Sequence, residues 1–361
     1  MRAMVFDRYG EPDVMSLSEE PVPEPQDREV LIRVGFAGVN PSDSKARSGE
    51  SARAGYRVRD FKFPFVTGMD AAGVVERTGS NTNGFRQGDR VITWSAADGK
   101  TLGQLCGIHR VPLRNVSPMP KSLSFAQAAA VPVAALTAFQ ALFHAEKGGG
   151  MIPGQKVLIH GATGGVGSFA VQFAKSGGLL VAATCGANNV AYVRSLGADR
   201  VIDYKTEDIG RAIRDWSAEG VDVVLDVVGS TTLPHALDML RPGGRLVSIL
   251  TVTADGDVER DRKEAERRGF RKITFIIDFE RARDSMREIT NLIDAGLVRV
   301  PPIEMLPLED AARAHRMIET GHIRGKLVLK VAELSSGCTA IRHNSGSGNL
   351  ILKWWRVQEA E

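Results

Sequence analysis

Hydrophobic positions change their rhythm near residue 130 of this 361-residue chain. Before it they come in short runs: Ala3 to Phe6, Val30 to Val34, Ala71 to Glu76 and Arg90 to Thr93. Pro- and Gly-rich turns such as Pro21-Val22-Pro23-Glu24-Pro25 separate them, which predicts a small barrel-like β domain. Beyond it, six short segments are apolar on both faces: Val157 to Ile159, Leu179 to Thr184, Arg200 to Asp203, Val221 to Val228, Arg245 to Leu250 and Ile273 to Ile277. Helical spacing fills most of the gaps between them, so the pattern predicts a doubly wound parallel α/β sheet. Ala126 to Phe143 reads as helix with a break at Pro132, and it leads through Gly148-Gly149-Gly150 into that sheet. Afterwards come an amphipathic helix, Arg281 to Ala295, a boundary at Pro301-Pro302, a helix from Leu308 to Glu319 and a strand from Lys326 to Val331. This late segment is expected to return to the first domain. The division is then 1–130 with 280–332 as one domain, 131–279 as a second inserted in it, and 333–361 as a tail. The tail is small and polar before an apolar end with Trp354 and Trp355, and is expected to hold no site.

The joint after the first of these strands carries candidate chemistry. Ala162-Thr163-Gly164-Gly165-Val166-Gly167 is a tight turn between strand and helix, the context of a dinucleotide fingerprint. A side chain at Gly164 would obstruct a pyrophosphate, Gly167 lets helix pack on strand, and the helix N-terminus offers free N–H groups to the anion. The register departs from GxGxxG, because its first glycine is Ala162. A glycine turn that only joins strand to helix is the alternative.

Charge and cysteine content narrow the partners. The net charge of +3 is small and the signs are interspersed, which argues against nucleic acid or an anionic membrane. No apolar run is long enough for a membrane span and the N-terminus lacks a signal-peptide core, so a cytoplasmic protein is expected. Cys106, Cys185 and Cys338 are too few and scattered for a disulfide framework.

Several stretches together resemble the medium-chain dehydrogenase/reductase superfamily, in its zinc-free quinone oxidoreductase-like branch. They are Gly38 to Asp43, Gly68 to Glu76, Gly88 to Val91, Leu136-Thr137-Ala138, Gly164 to Gly167 and Gly325 to Leu329, and the resemblance covers about residues 1 to 332. It implies a Rossmann domain inserted in a GroES-like β-barrel catalytic domain, a nicotinamide in the cleft between them, and hydride transfer from NAD(P)H. It also implies pairing of the last sheet strand, Lys272 to Phe279, with a two-fold mate, and so a homodimer. Where zinc-dependent relatives carry a cysteine and Gly-His-Glu, this chain has Asn40 and Met69-Asp70, so no metal is expected. Cys106 and His109 form the one close Cys/His pair, and strand residues of the barrel are the simpler account of them.

By the same resemblance, Asn40 and Thr137 are polar groups beside the nicotinamide. The residues alone leave open an Asx turn before Pro41 and a hydroxyl bonded to its own helix. Tyr56 is a candidate proton donor to an enolate, in a segment whose Arg53, Arg57, Arg59 and Lys62 either meet substrate phosphates or stay solvated. Thr163, Gly164, Gly165, Val166, Val228, Leu250 and Lys326 complete the expected cofactor contacts. NADPH is expected over NADH. The second strand is followed by Cys185-Gly186-Ala187-Asn188-Asn189, with no carboxylate to grip a ribose 2′-hydroxyl or repel a phosphate. Tyr204 resembles a tyrosine of the adenosine phosphate site, and Asn189 either serves that site or caps the next helix. Lys175, Arg194 and Lys205 are the nearby cations. The expected activity is reduction of a quinone or another conjugated carbonyl. Reduction of enoyl thioesters or other activated C=C bonds is the alternative, and a low-turnover NADPH-binding protein is a third.

Overall fold

The computed structural model describes residues 1–53, 62–82, 84–95, 103–229, 231–249 and 258–334. Tyr56, Leu250 and the tail from residue 335 lie outside the described residues, so the expectations on them are not addressed by it.

Six parallel strands form the sheet that organises the second half: β1 (Lys156–His160), β2 (Leu180–Cys185), β3 (Arg200–Asp203), β4 (Val221–Asp226), β5 (Leu240–Ser248) and β6 (Arg271–Thr274). Their order is β3-β2-β1-β4-β5-β6. The order reverses between β1 and β4, which register Val157 on Val223 and His160 on Asp226. A crevice opens at the carboxyl ends of the strands at such a reversal, and ligands of doubly wound sheets bind there. The strands are buried on both faces, as their unbroken apolar runs require: Val157, Leu158 and Ile159 are all inaccessible. The expected strand Val221 to Val228 stops at Asp226. Its carboxylate accepts the N–H groups of Val228 and Gly229, at 3.0 and 2.8 Å, and turns the chain out of the sheet.

The first lobe is built on the long strand Glu29–Val39. One edge pairs with Asp70–Thr78. The other pairs with Ile108–Pro112 along its first half and with Lys326–Lys330 along its second, all antiparallel. A helix, Ala311–Glu319, links Ile303–Pro307 to that last strand, and the two strands are parallel neighbours. The last strand thus lies in the sheet of the first lobe. The expected helix break at Pro132 is observed, with helices at Phe125–Ala129 and Pro132–Phe143. A single apolar cluster runs from Ile92 and Trp94 in the first lobe through Phe139, Phe143 and Phe173 to Met286 and Ile289 of helix Ala282–Asp294. The two lobes thus share buried surface. No helix among the described residues is long and apolar enough to cross a membrane.

Candidate active site

The glycine turn meets its two geometric requirements. Gly164 caps helix Gly165–Ser176, and a Cβ built on it has no atom of the described residues within 4 Å. A Cβ on Gly167 would lie 2.1 Å from the Gly161 carbonyl oxygen, so helix and strand touch backbone to backbone. Open ground at Gly164, over the free N–H groups of a twelve-residue helix, suits the pyrophosphate of a dinucleotide. Gly161 has φ +90° and a Cβ there would strike Val228 Cγ2 at 2.4 Å, so Val228 lies directly against the turn. Val228 remains 43% exposed, an apolar surface at the crevice.

The strand that closes the first lobe reaches this turn. Gly325 N–H donates to the Thr163 carbonyl at 2.8 Å, and Gly164 and Gly325 form an isolated parallel bridge. The next residue, Lys326, is 5% exposed. Its ammonium donates to the Val39 carbonyl at 3.0 Å and Asn40 Oδ1 at 2.5 Å, and lies 3.4 Å from Asp70 Oδ2. Asn40 Nδ2 donates to the same Asp70 oxygen at 2.9 Å, and Asp70 Oδ1 accepts from Val133 N–H at 2.8 Å. Asn40 precedes helix Pro41–Ser48, and Asp43 accepts from its backbone N–H at 2.8 Å. The Asn40 amide is therefore a node of a buried ionic network, not an Asx turn alone. Burial raises the Asp70 carboxyl, and chiefly the Lys326 charge opposes that. Asp43 is pushed up to about 7 by burial above all, with the Asp70 charge adding to it.

Thr137 is the one residue of helix Pro132–Phe143 that is not buried, in a helix otherwise sealed in the core. Thr163, Gly164, Gly165 and Val166 are partly exposed along the turn. Around the expected adenosine end, the Cys185 side chain is only 2% exposed and belongs to the apolar core, so only its backbone borders the loop. Burial pushes its thiol up to about 11. Gly186 is the position that faces outward: a Cβ there would lie 3.7 Å from the Tyr204 hydroxyl and 3.9 Å from Lys205 Cε. Tyr204 is 44% exposed. Of the three nearby cations, Lys175 is held by Asp199 at 2.8 Å and Arg194 points to solvent, while Lys205 comes to the loop. Asn189 stands at the N-terminus of helix Val190–Ser195 but its side chain makes no capping bond.

Three groups here carry no sequence signal. His160, at the end of β1, looks like strand filler. Tyr192 donates its hydroxyl to Ser168 Oγ at 3.0 Å, and Arg324 stacks on its ring at 4.5 Å, beside the Thr163–Gly325 contact. Both come from elements that the chain order does not bring together.

The donor set at Asn40, Met69 and Asp70 does not fit zinc. Asp70 is engaged by an ammonium, an amide and a backbone N–H, and the Met69 sulfur accepts from Ser42 at 3.1 Å. A cation there would meet the Lys326 charge. Cys106 and His109 are not a pair either. Cys106 bonds to the carbonyls of Gly103 and Ile108 within the cluster of Ala3, Met4 and Val39.

Comparison with known proteins yields two family models: "Alcohol dehydrogenase GroES-like domain" over residues 26–138 and "Zinc-binding dehydrogenase" over residues 196–329. The chain is 33% identical to human mitochondrial NAD(P)H oxidoreductase RTN4IP1, covering 92% of this chain and 89% of that one. It is 32% identical to rat quinone oxidoreductase, covering 91% and 97%. It is 33% identical to the chloroplastic NADPH-dependent alkenal/one oxidoreductase of Arabidopsis thaliana, covering 91% and 79%. Among solved structures, the quinone oxidoreductase of Coxiella burnetii superposes with a TM-score of 0.80 at 34% identity, covering 92% and 99%. That of Escherichia coli, complexed with NADPH, gives 0.79 at 27%, covering 91% and 100%.

Proposed function

We propose, for a chain that belongs to the medium-chain dehydrogenase/reductase superfamily and within it to the quinone oxidoreductase-like branch, an NADPH-dependent, zinc-independent reduction of a quinone or another conjugated carbonyl. One observation carries the choice of acceptor. The Asp70 carboxylate is paired with Lys326, so Asn40, Met69 and Asp70 offer no metal-ligand set that would polarise a simple ketone there. A quinone or enone needs less help, because its own π system spreads the negative charge. NADPH, when bound, supplies the hydride; the chain binds, orients and excludes water. In this reading the turn Thr163 to Val166 holds the pyrophosphate, and Val228 walls the crevice. Gly186, Tyr204 and Lys205 meet the 2′-phosphate. Thr137 and Asn40 are the polar groups set beside the nicotinamide, with Lys326 fixing Asn40. The domains of the reading are 1–130 with 280–332 and 131–279, the protein is cytoplasmic, and β6 pairs with its mate in a homodimer.

Reduction of alkenals, enones or enoyl thioesters is the second reading, favoured by the likeness to the Arabidopsis enzyme. NADPH oxidation against quinones, enals, enones and enoyl-CoA esters, with and without a chelator, separates the readings. Turnover with quinones that survives chelation is expected. Tight NADPH binding with no turnover of any acceptor would instead make this a low-turnover NADPH-binding protein.

A further inference from the structure

We propose that His160 is a positioning residue of the cofactor cleft, tying the glycine turn to the wall formed by Val228 through a hydrogen-bonded relay between Thr184 and Thr232. The inference rests on the reading of this cleft as an NADPH site.

The ring of His160 is buried, 4% exposed, and both nitrogens are engaged. Nδ1 lies 2.9 Å from Thr184 Oγ1 and Nε2 lies 2.9 Å from Thr232 Oγ1. The neighbours fix the protons. Thr232 donates its hydroxyl to the Gly229 carbonyl at 2.8 Å, so towards His160 it accepts, and Nε2 carries the hydrogen. Nδ1 is then the acceptor in the neutral ring, and Thr184 donates to it. Thr184 Oγ1 accepts in turn from Gly161 N–H at 3.0 Å. The relay runs Gly161 N–H, Thr184 O–H, His160, Thr232 O–H, Gly229 C=O, with each hydroxyl used once as donor and once as acceptor.

This relay joins the carboxyl ends of β1, β2 and β4, the three strands at the reversal of strand order. Its two ends are the backbone of the glycine turn and the backbone that follows Val228. Those two segments already touch, since Val228 occupies the space over Gly161. The imidazole is thus the side-chain link between the pyrophosphate turn and the Val228 wall, beside the Asp226 carboxylate that holds the Val228 and Gly229 N–H groups. Of the charged groups nearby, Asp226 pairs in register with His160, and its Oδ1 accepts from Val228 and Gly229 N–H. Burial lowers the His160 pKa, against the pull of the Asp226 charge, in keeping with a neutral ring.

The test separates the two halves of the relay. His160→Asn keeps a polar group near Nδ1 for Thr184; His160→Gln carries an amide nitrogen out to the Nε2 position for Thr232; His160→Leu keeps neither. Thr232→Val cuts the far end at an exposed residue, where folding is not at stake. NADPH dissociation constants by nicotinamide fluorescence, kcat and KM for NADPH, and melting temperature are read for each. His160→Leu is expected to weaken NADPH about tenfold, in Kd and KM more than in kcat. The two amides should each recover part of that loss. Thr232→Val should weaken binding severalfold and add nothing to His160→Leu. Unchanged NADPH affinity in Thr232→Val overturns the relay even if His160→Leu does not fold, and so does full additivity of the two. A wild type that binds no nicotinamide cofactor overturns the NADPH reading itself, and the inference with it.

Discussion

Lys326 lies across Gly165: a Cβ on that glycine would come within 2.7 Å of Lys326 Cδ and 3.1 Å of its Cγ. A flexible stem normally moves aside, but this one is anchored at its tip by Val39, Asn40 and Asp70. The glycine-rich turn therefore meets the barrel's lysine on one side and, in the proposed reading, the ligand on its open side. Gly165→Ala should weaken NADPH about tenfold and lower the melting temperature. Lys326→Met should be worse, because it strips the buried Asp70 of its charge partner, a loss of about 3 to 5 kcal/mol. Adding Asp70→Asn to Lys326→Met should restore much of the stability. Thermal melts of the single and double variants check this, and a double variant no better than Lys326→Met would contradict it.

In the proposed reading, cofactor choice is read at Gly186. An aspartate at Cys185 would enter the apolar core, whereas one at Gly186 would face the Tyr204 hydroxyl and Lys205 with ordinary contact distances. Gly186→Asp should turn preference from NADPH toward NADH. Lys205→Ala should cut the ratio of kcat/KM for the two cofactors about tenfold, near 1.4 kcal/mol. Steady-state kinetics with both cofactors decides it; a wild type that prefers NADH would end this account of the loop.

Acid sensitivity follows from buried histidines. Both ring nitrogens of His109 are buried without partners among the described residues, and burial pushes its pKa down to about 3, as it does for His315 beside Arg47. With the folded pKa below the unfolded value, the unfolded chain takes up a proton that the folded chain refuses. Stability is therefore lost as pH falls below about 6.5, by up to about 1.4 kcal/mol per unit for each group. Asp43 acts in the opposite sense: its folded pKa is raised, so its contribution falls as pH rises through about 7. His109→Leu removes one titrating group and two unpaired nitrogens. It should melt higher than wild type, with a larger gain at pH 5 than at pH 7.5. Equal gains at both would remove the titration from the explanation.

Assembly is tested beside β6. That strand is the sheet edge, and Phe275 just after it is buried in the main core, so a charge at Phe275 would unfold the lobe and report nothing on association. Ile276 is 52% exposed and is the informative site. Ile276→Lys should yield folded monomers by sedimentation, while wild type should sediment as a dimer at micromolar concentration.

Much of this was legible in residues. The apolar runs mark all six parallel strands, though the last runs Arg271–Thr274 where Ile273 to Ile277 is expected, and the turn from Ala162 to Gly167 is recognisable from its glycines alone. What stayed hidden has physical causes. Parallel strands buried on both faces show no alternation, so nothing in Leu180 to Cys185 told whether Cys185 faced core or cofactor, and nothing set His160 apart from Ile159. The partnership of Lys326 with Asp70 depends on antiparallel pairing of Lys326–Lys330 with Glu29–Val39, which no local pattern encodes. Lys205 was visible as a cation; only the fold brought it to Gly186. Val228 continues the apolar run of the strand before it, whereas the Asp226 carboxylate turns the chain out of the sheet there.

The buried ion pair also sets a schedule. Asp70 is synthesised 256 residues before Lys326, an interval of about 13 to 50 s on a ribosome. Throughout that time the nascent barrel lacks the strand that fills half an edge of Glu29–Val39, and its central carboxylate has no counter-charge. A chain halted before Lys326 would hold all the glycines of its turn and still have no place for them to close against, so a competent cleft is among the last things this protein acquires.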